Sequence, residues 1–114
     1  MNVLDILSPE RFVVELPFLL ETLAIEFAEV RITISPENLP LLVEDLRLGL
    51  NQRPRREVGE FAAYLTQLQN RSSQGQPAEL HMSRGAACAF ARDLAKGTLL
   101  RQRGGKAGAN AAVD

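Results

Sequence analysis

Little in this chain of 114 residues is equipped for covalent chemistry: it has one cysteine, Cys88, one histidine, His81, one tyrosine and no tryptophan. A single cysteine excludes an intrachain disulfide and suits a reducing compartment. One histidine and one thiol are too few for a structural zinc cage. Long hydrophobic runs are missing as well. The most apolar stretch, FVVELPFLLETLAIEFAEV, is interrupted by Glu15, Glu21 and Glu26, short of the roughly 18 uncharged residues that a bilayer span needs. The opening MNVLDILSPER places Asp5 inside its early apolar patch and lacks the basic start and small-residue cleavage site of a secretory signal. The expected location is therefore cytoplasmic, with no membrane partner. Nor does one charge dominate: 13 basic against 14 acidic side chains give a net charge of -1, unlike a polybasic nucleic-acid binder or an acidic disordered segment.

The charge that is present is unevenly placed. Residues 1–50 carry nine acids and three bases, whereas residues 84–114 carry two acids and six bases, a polarity that favours partner or head-to-tail contacts. An enzymatic reading finds thin support. His81 and Cys88 are the available thiol–imidazole pair, but Cys88 stands among Ala86, Ala87, Ala89 and Ala91, the setting of a packed, inert thiol. The Gly-Gly-Lys at 104–106 lacks the first glycine and the hydroxyl of a phosphate loop. Glu15, Glu26 and Glu29 form the polar stripe of a helix rather than an acid–base pair. We expect no enzyme, no cofactor and no metal site.

Ser8-Pro9-Glu10 is a helix start, with a capping hydroxyl, proline at the first helical position and an acid in the first turn. The helix expected over 9–28 has one apolar stripe at Leu16, Leu20, Leu23, Ala24 and Phe27, and a second at Val14, Phe18 and Ile25. The β-branched run Phe12–Leu16 also fits a strand. Val30, Ile32 and Ile34 alternate with Arg31, Thr33 and Ser35, the period of a half-buried strand. Helical spacing then recurs at Leu39, Leu42, Val43, Leu46 and Leu50, and again over 56–69 at Val58, Phe61, Ala62, Leu65 and Leu68. After a polar stretch at 70–77, AELHM is a second candidate strand, and Ser83 caps a helix expected to stop at Gly97.

Two of these stretches match at an offset of 48: Ser35 with Ser83, Asp45 with Asp93, Leu46 with Leu94 and Gly49 with Gly97. The grammar shared by any strand followed by a capped helix accounts for this more readily than duplication does. The fold expected is α+β: one mostly helical domain over 1–100, about four helices, and a two-stranded element in strand–helix units near 30–50 and 78–97. Residues 101–114 read as a flexible or partner-held basic tail.

Residues 30–69 also resemble the ribbon-helix-helix DNA-binding family, on the strand VRITIS, Pro36, a helix carrying Leu39, Val43 and Leu46, and a second carrying Val58, Ala62 and Leu65. That resemblance implies a ribbon of strands from two chains, with Arg31, Thr33 and Ser35 reading the major groove. Phosphate anchoring would fall to Arg53, Arg55 and Arg56 beside a helix start, or to Arg101, Arg103 and Lys106 of the tail. Pro40 and the apolar segment ahead of the strand depart from that family's build. The function expected is instead a non-catalytic adaptor, inhibitor or assembly factor, working through the apolar N-terminal helix on Phe12, Val14, Phe18 and Ile25. Its partner is another protein or a second copy of the chain, with a dimeric DNA-binding regulator as the alternative.

Overall fold

The computed structural model describes residues 8–53 and 59–113, with the side chains of 59, 60 and 105–113 outside that description. Helix α1 spans Pro9–Glu26, strand β1 Glu29–Ile34, helix α2 Leu39–Leu50, helix α3 Gly59–Ser73, strand β2 Ala78–Ser83 and helix α4 Arg84–Val113. A 3-10 turn at Pro36–Asn38 joins β1 to α2. This is the mostly helical α+β architecture that the periodicities imply.

Several boundaries have a local cause. Ser8 Oγ accepts the Arg11 amide, Pro9 opens α1 where no intrahelical hydrogen bond is lost, and the helix that follows runs through 12–16 and rules out a strand there. Ser83 Oγ accepts the Ala86 amide at 3.2 Å and so caps α4. Ser35 holds Asn38 Nδ2 at 3.1 Å instead, and α2 begins without a side-chain cap. Gly75, with φ of 66°, supplies the left-handed residue of the turn between α3 and β2.

β1 and β2 form one antiparallel ribbon, with Ile32 opposite Leu80, Val30 opposite Met82 and Ile34 opposite Ala78. All six of these side chains are buried beneath the ribbon. They meet Phe12, Leu16 and Leu20 of α1, Leu42 and Leu46 of α2, Leu68 of α3, and Phe90 and Leu94 of α4 in one core. A fully buried side chain of this size contributes about 1.5–3 kcal/mol, so the inward faces of all six elements act together.

The register reveals an approximate two-fold axis. Ile32 pairs with the residue 48 positions beyond it, and Val30 pairs with the counterpart of Ile34. The same offset carries α1 onto the stretch occupied by α3 and α2 onto the start of α4. Packing follows the symmetry: α1 lies on α4, α3 lies on α2, and α2 crosses α4. The repeat is thus α-β-α, and it extends beyond the strand–helix match visible over 32–49. Leu20 and Leu68 are identical, fully buried counterparts, and so are Arg53 and Arg101 identical.

The helical stop expected at Gly97 does not occur: α4 passes through it and the backbone stays helical to Val113. Gly97 serves a helix crossing instead of a C-terminal cap. A Cβ built there would overlap the Asp45 carbonyl of α2, and one built on Gly49 would overlap the Asp93 carbonyl of α4. The two glycines let the two backbones touch on the axis.

Candidate protein interface

Around that crossing lie two reciprocal ion pairs. Arg53 Nε donates to both Asp93 carboxylate oxygens, at 2.8 and 3.0 Å, and the Arg53 guanidinium sits 5.4 Å from the Phe61 ring centre. On the other side, Arg101 Nε donates to Asp45 Oδ1 at 2.6 Å, and the Thr98 hydroxyl donates to Oδ2 at 2.8 Å. Asp45 is fully buried, and a carboxylate in that position requires such partners. Arg101 extends the network to α1, where its Nη2 donates to Glu10 Oε2 at 2.8 Å and Gln102 Nε2 donates to Oε1 at 3.2 Å. The Asp45 hydrogen bond is the main reason the Arg101 pKa is raised above its ordinary value; burial opposes it, and the charges of Asp45 and Glu10 add to it.

This network fixes α4 against both α2 and α1. Between α1 and α4 it leaves an apolar groove of about 360 Å³, floored by Val13 and Thr98 and walled by Val14, Pro17, Phe18, Ala95 and Leu99, with Glu21 at its margin. Phe18 is 65% exposed, Ile25 beside it 78% and Leu99 46%.

The sequence-derived interface set is thus divided by the structure. Phe18 and Ile25 stand on the surface and Val14 is half-buried in the groove wall. Phe12 is 0% exposed and belongs to the core. Its position, two residues ahead of Val14, turns it through about 200° to the opposite side of the helix. Leu99 lies outside that set because a helix that stops at Gly97 ends two residues before it. Extending the 48-residue match to Arg53 and Arg101 is the signal that carries α4 far enough to find it.

The nucleic-acid candidates are scattered. Arg31 and Thr33 lie in β1 and face outward on the ribbon, and the half-buried Ser35 follows the strand. Opposite them are His81 and Glu79 of the same chain, so this ribbon is formed within one chain. Its outer face also carries acids: Glu79 lies 3.8 Å from Arg31, and Glu29 lies 2.8 Å from His81. Arg53 is occupied by Asp93, while Arg55 and Arg56 fall outside the described residues. His81 is therefore engaged on the outer ribbon, whereas Cys88 packs against the core from α4. No helix among the described residues is long and apolar enough to cross a membrane.

Comparison with protein-family models, curated proteins and solved structures found no match.

The two-fold axis supplies an internal reference for the groove. Among the described residues the large exposed apolar side chains are Phe18, Ile25, Phe27 and Leu99. Their counterparts across the axis are Thr66, Ser73, Gly75 and Asn51, every one of them polar or glycine. Among the described residues, the equivalent junction of α3 with α2 carries no large exposed apolar side chain, so the fold itself does not require them.

Proposed function

We propose that this is a non-catalytic protein–protein interaction protein of the adaptor, inhibitor or assembly-factor kind, acting in the cytoplasm through the α1–α4 face. The observation that carries this reading is the one-sided apolarity: Phe18, Ile25 and Leu99 stand exposed where Thr66, Ser73 and Asn51 serve the same structural positions. Apolar surface that the fold does not need costs solubility, and a contiguous patch of it marks an interaction site. Val14 and Ala95 extend the patch into the groove.

The symmetry also supplies the variant that tests this reading. Phe18→Thr with Ile25→Ser and Leu99→Asn installs on the α1–α4 side what the α3–α2 side already carries. The triple variant is expected to keep the far-UV spectrum and urea midpoint of the wild type and to lose protein association, measured by light scattering and by nuclease-treated pull-down. Unfolding of the variant would return these side chains to the core. Association unchanged from wild type would remove the face from consideration.

A further inference from the structure

We infer that the occupant of the α1–α4 face is a second copy of this chain, joined across a two-fold axis that runs along the groove. The inference rests on reading that face as a protein interface, and adds what covers it.

The ground is charge placement. Counting about 100° per residue around each helix, α1 presents Phe18 and Ile25 at its crest, with Glu21 on the groove side and Glu26 on the far side. On α4 the crest is Leu99, and Arg92, Lys96 and Arg103 follow on the side away from the groove. All of these charged side chains are exposed and form no ion pair among the described residues. The α1 half of the face is therefore acidic, with Glu21 on the groove side of its apolar crest and Glu26 on the far side, and the α4 half is basic, with Arg92, Lys96 and Arg103 beyond the Leu99 crest.

Such a strip complements itself in one orientation. A two-fold axis parallel to the groove sets α1 of one copy over α4 of the other, which lays the acidic α1 half over the partner copy's basic α4 half and one apolar crest against the other. The same contact is made twice, as an isologous interface requires. The four helices then enclose both grooves in the manner of a helix bundle. An axis across the groove would instead oppose acid to acid. Charge order of this kind selects partner and orientation more than it adds affinity.

The polarised rim is also confined to one side of the internal axis. The counterparts of Glu21 and Glu26 are Gln69 and Gln74, and those of Arg92 and Lys96 are Glu44 and Leu48. Among the described residues the α3–α2 junction has neither the crest nor the charge order. One dimer is expected, and not a chain of copies.

The experiment is light scattering coupled to gel filtration on the purified full-length protein, with a salt series. Wild type should elute at twice the chain mass. Glu21→Lys with Glu26→Lys, and separately Arg92→Glu with Lys96→Glu, should each give monomers, dimerising roughly tenfold or more weakly because each change acts twice in the interface. Mixing the two variants should restore a dimer containing one of each, since an all-basic face then meets an all-acidic one. That restoration distinguishes this interface from misfolding, because a misfolded variant cannot be rescued by its complement. A wild-type monomer across the concentration range, or a dimer that neither variant alters, would overturn the second-copy inference. If the wild type is monomeric and still loses a different protein partner on Phe18→Thr with Ile25→Ser and Leu99→Asn, the interface reading survives and only the occupant changes.

Discussion

Arg101 holds the fully buried carboxylate of Asp45 at 2.6 Å, and through Glu10 the same guanidinium reaches α1. Its symmetry counterpart, Arg53, holds Asp93 in the reverse direction. The pair of clasps ties each crossing helix to the other, but only the Arg101 side recruits Glu10 and Thr98. The face with the apolar groove thus has this polar network beneath it, and the network keeps α1 and α4 at a fixed separation while their outer surfaces face water.

Removing Arg101 should cost more than removing Arg53. Arg101→Ala leaves Asp45 sealed from water with the Thr98 hydroxyl as its remaining side-chain partner, a loss of about 3–5 kcal/mol. Arg53→Ala strands a carboxylate nearer the surface, where hydrogen bonds to a charged group are worth about 1.5–3 kcal/mol. Urea midpoints at constant m-value give the comparison; equal losses would mean that burial of Asp45 does not set the energetics.

Opposite signs are expected at two glycines of one helix. Gly104→Ala places its methyl in open space and should stabilise by up to about 1 kcal/mol through helix propensity alone. Gly97→Ala drives a methyl into the Asp45 carbonyl and toward the Gly49 amide, and the displaced crossing should cost about 1–3 kcal/mol or more. Thermal unfolding of the two variants, read beside wild type, decides it; a stabilised Gly97→Ala would contradict the close crossing.

Much of this fold was legible because its elements obey local rules. The alternation of Val30, Ile32 and Ile34 identified β1, Ser8-Pro9-Glu10 marked the start of α1, and Ser83 marked α4. What failed was Gly97, where a local rule met a tertiary requirement. A glycine followed by a polar, glycine-rich stretch has the composition of a helix end, yet its missing Cβ is used to admit the Asp45 carbonyl from another element. Phe12 failed for a related reason. A helix with apolar residues around most of its circumference does not say which side faces the core until its neighbours are placed, and a fourth helix that stops at Gly97 is too short to place them. The offset of 48 was visible in Ser35, Asp45, Leu46 and Gly49, and its meaning came from Arg53 and Arg101, whose partners lie in the opposite repeat.

Duplex DNA should not be bound with measurable affinity at physiological salt. The outward ribbon face sets Glu29 and Glu79 beside Arg31 and His81, and acids at those positions repel phosphate instead of anchoring it. Fluorescence anisotropy over a salt series on wild type and on Arg31→Ala with Thr33→Ala should give the same flat response. Salt-dependent binding that disappears in the double variant would restore the ribbon as a groove reader.

The sharpest contrast between core and surface lies within one helix, at Phe12 and Phe18. The two residues are six apart, so their side chains point about 120° away from each other, one at 0% exposure and the other at 65%. Phe12→Ala empties a site bounded by packed side chains and should cost about 3–5 kcal/mol in transfer and cavity terms. Phe18→Ala removes a ring that is mostly in water and should change stability by no more than about 0.5 kcal/mol. Association should respond in the reverse order. Phe18→Ala should weaken it under conditions where both proteins are folded, whereas Phe12→Ala should leave the association of its folded fraction close to wild type. Chemical denaturation and concentration-dependent light scattering on the same two preparations test both halves. A large stability loss at Phe18, or an association defect at Phe12 beyond what its unfolded fraction explains, would show that core and interface had been assigned to the wrong sides of α1.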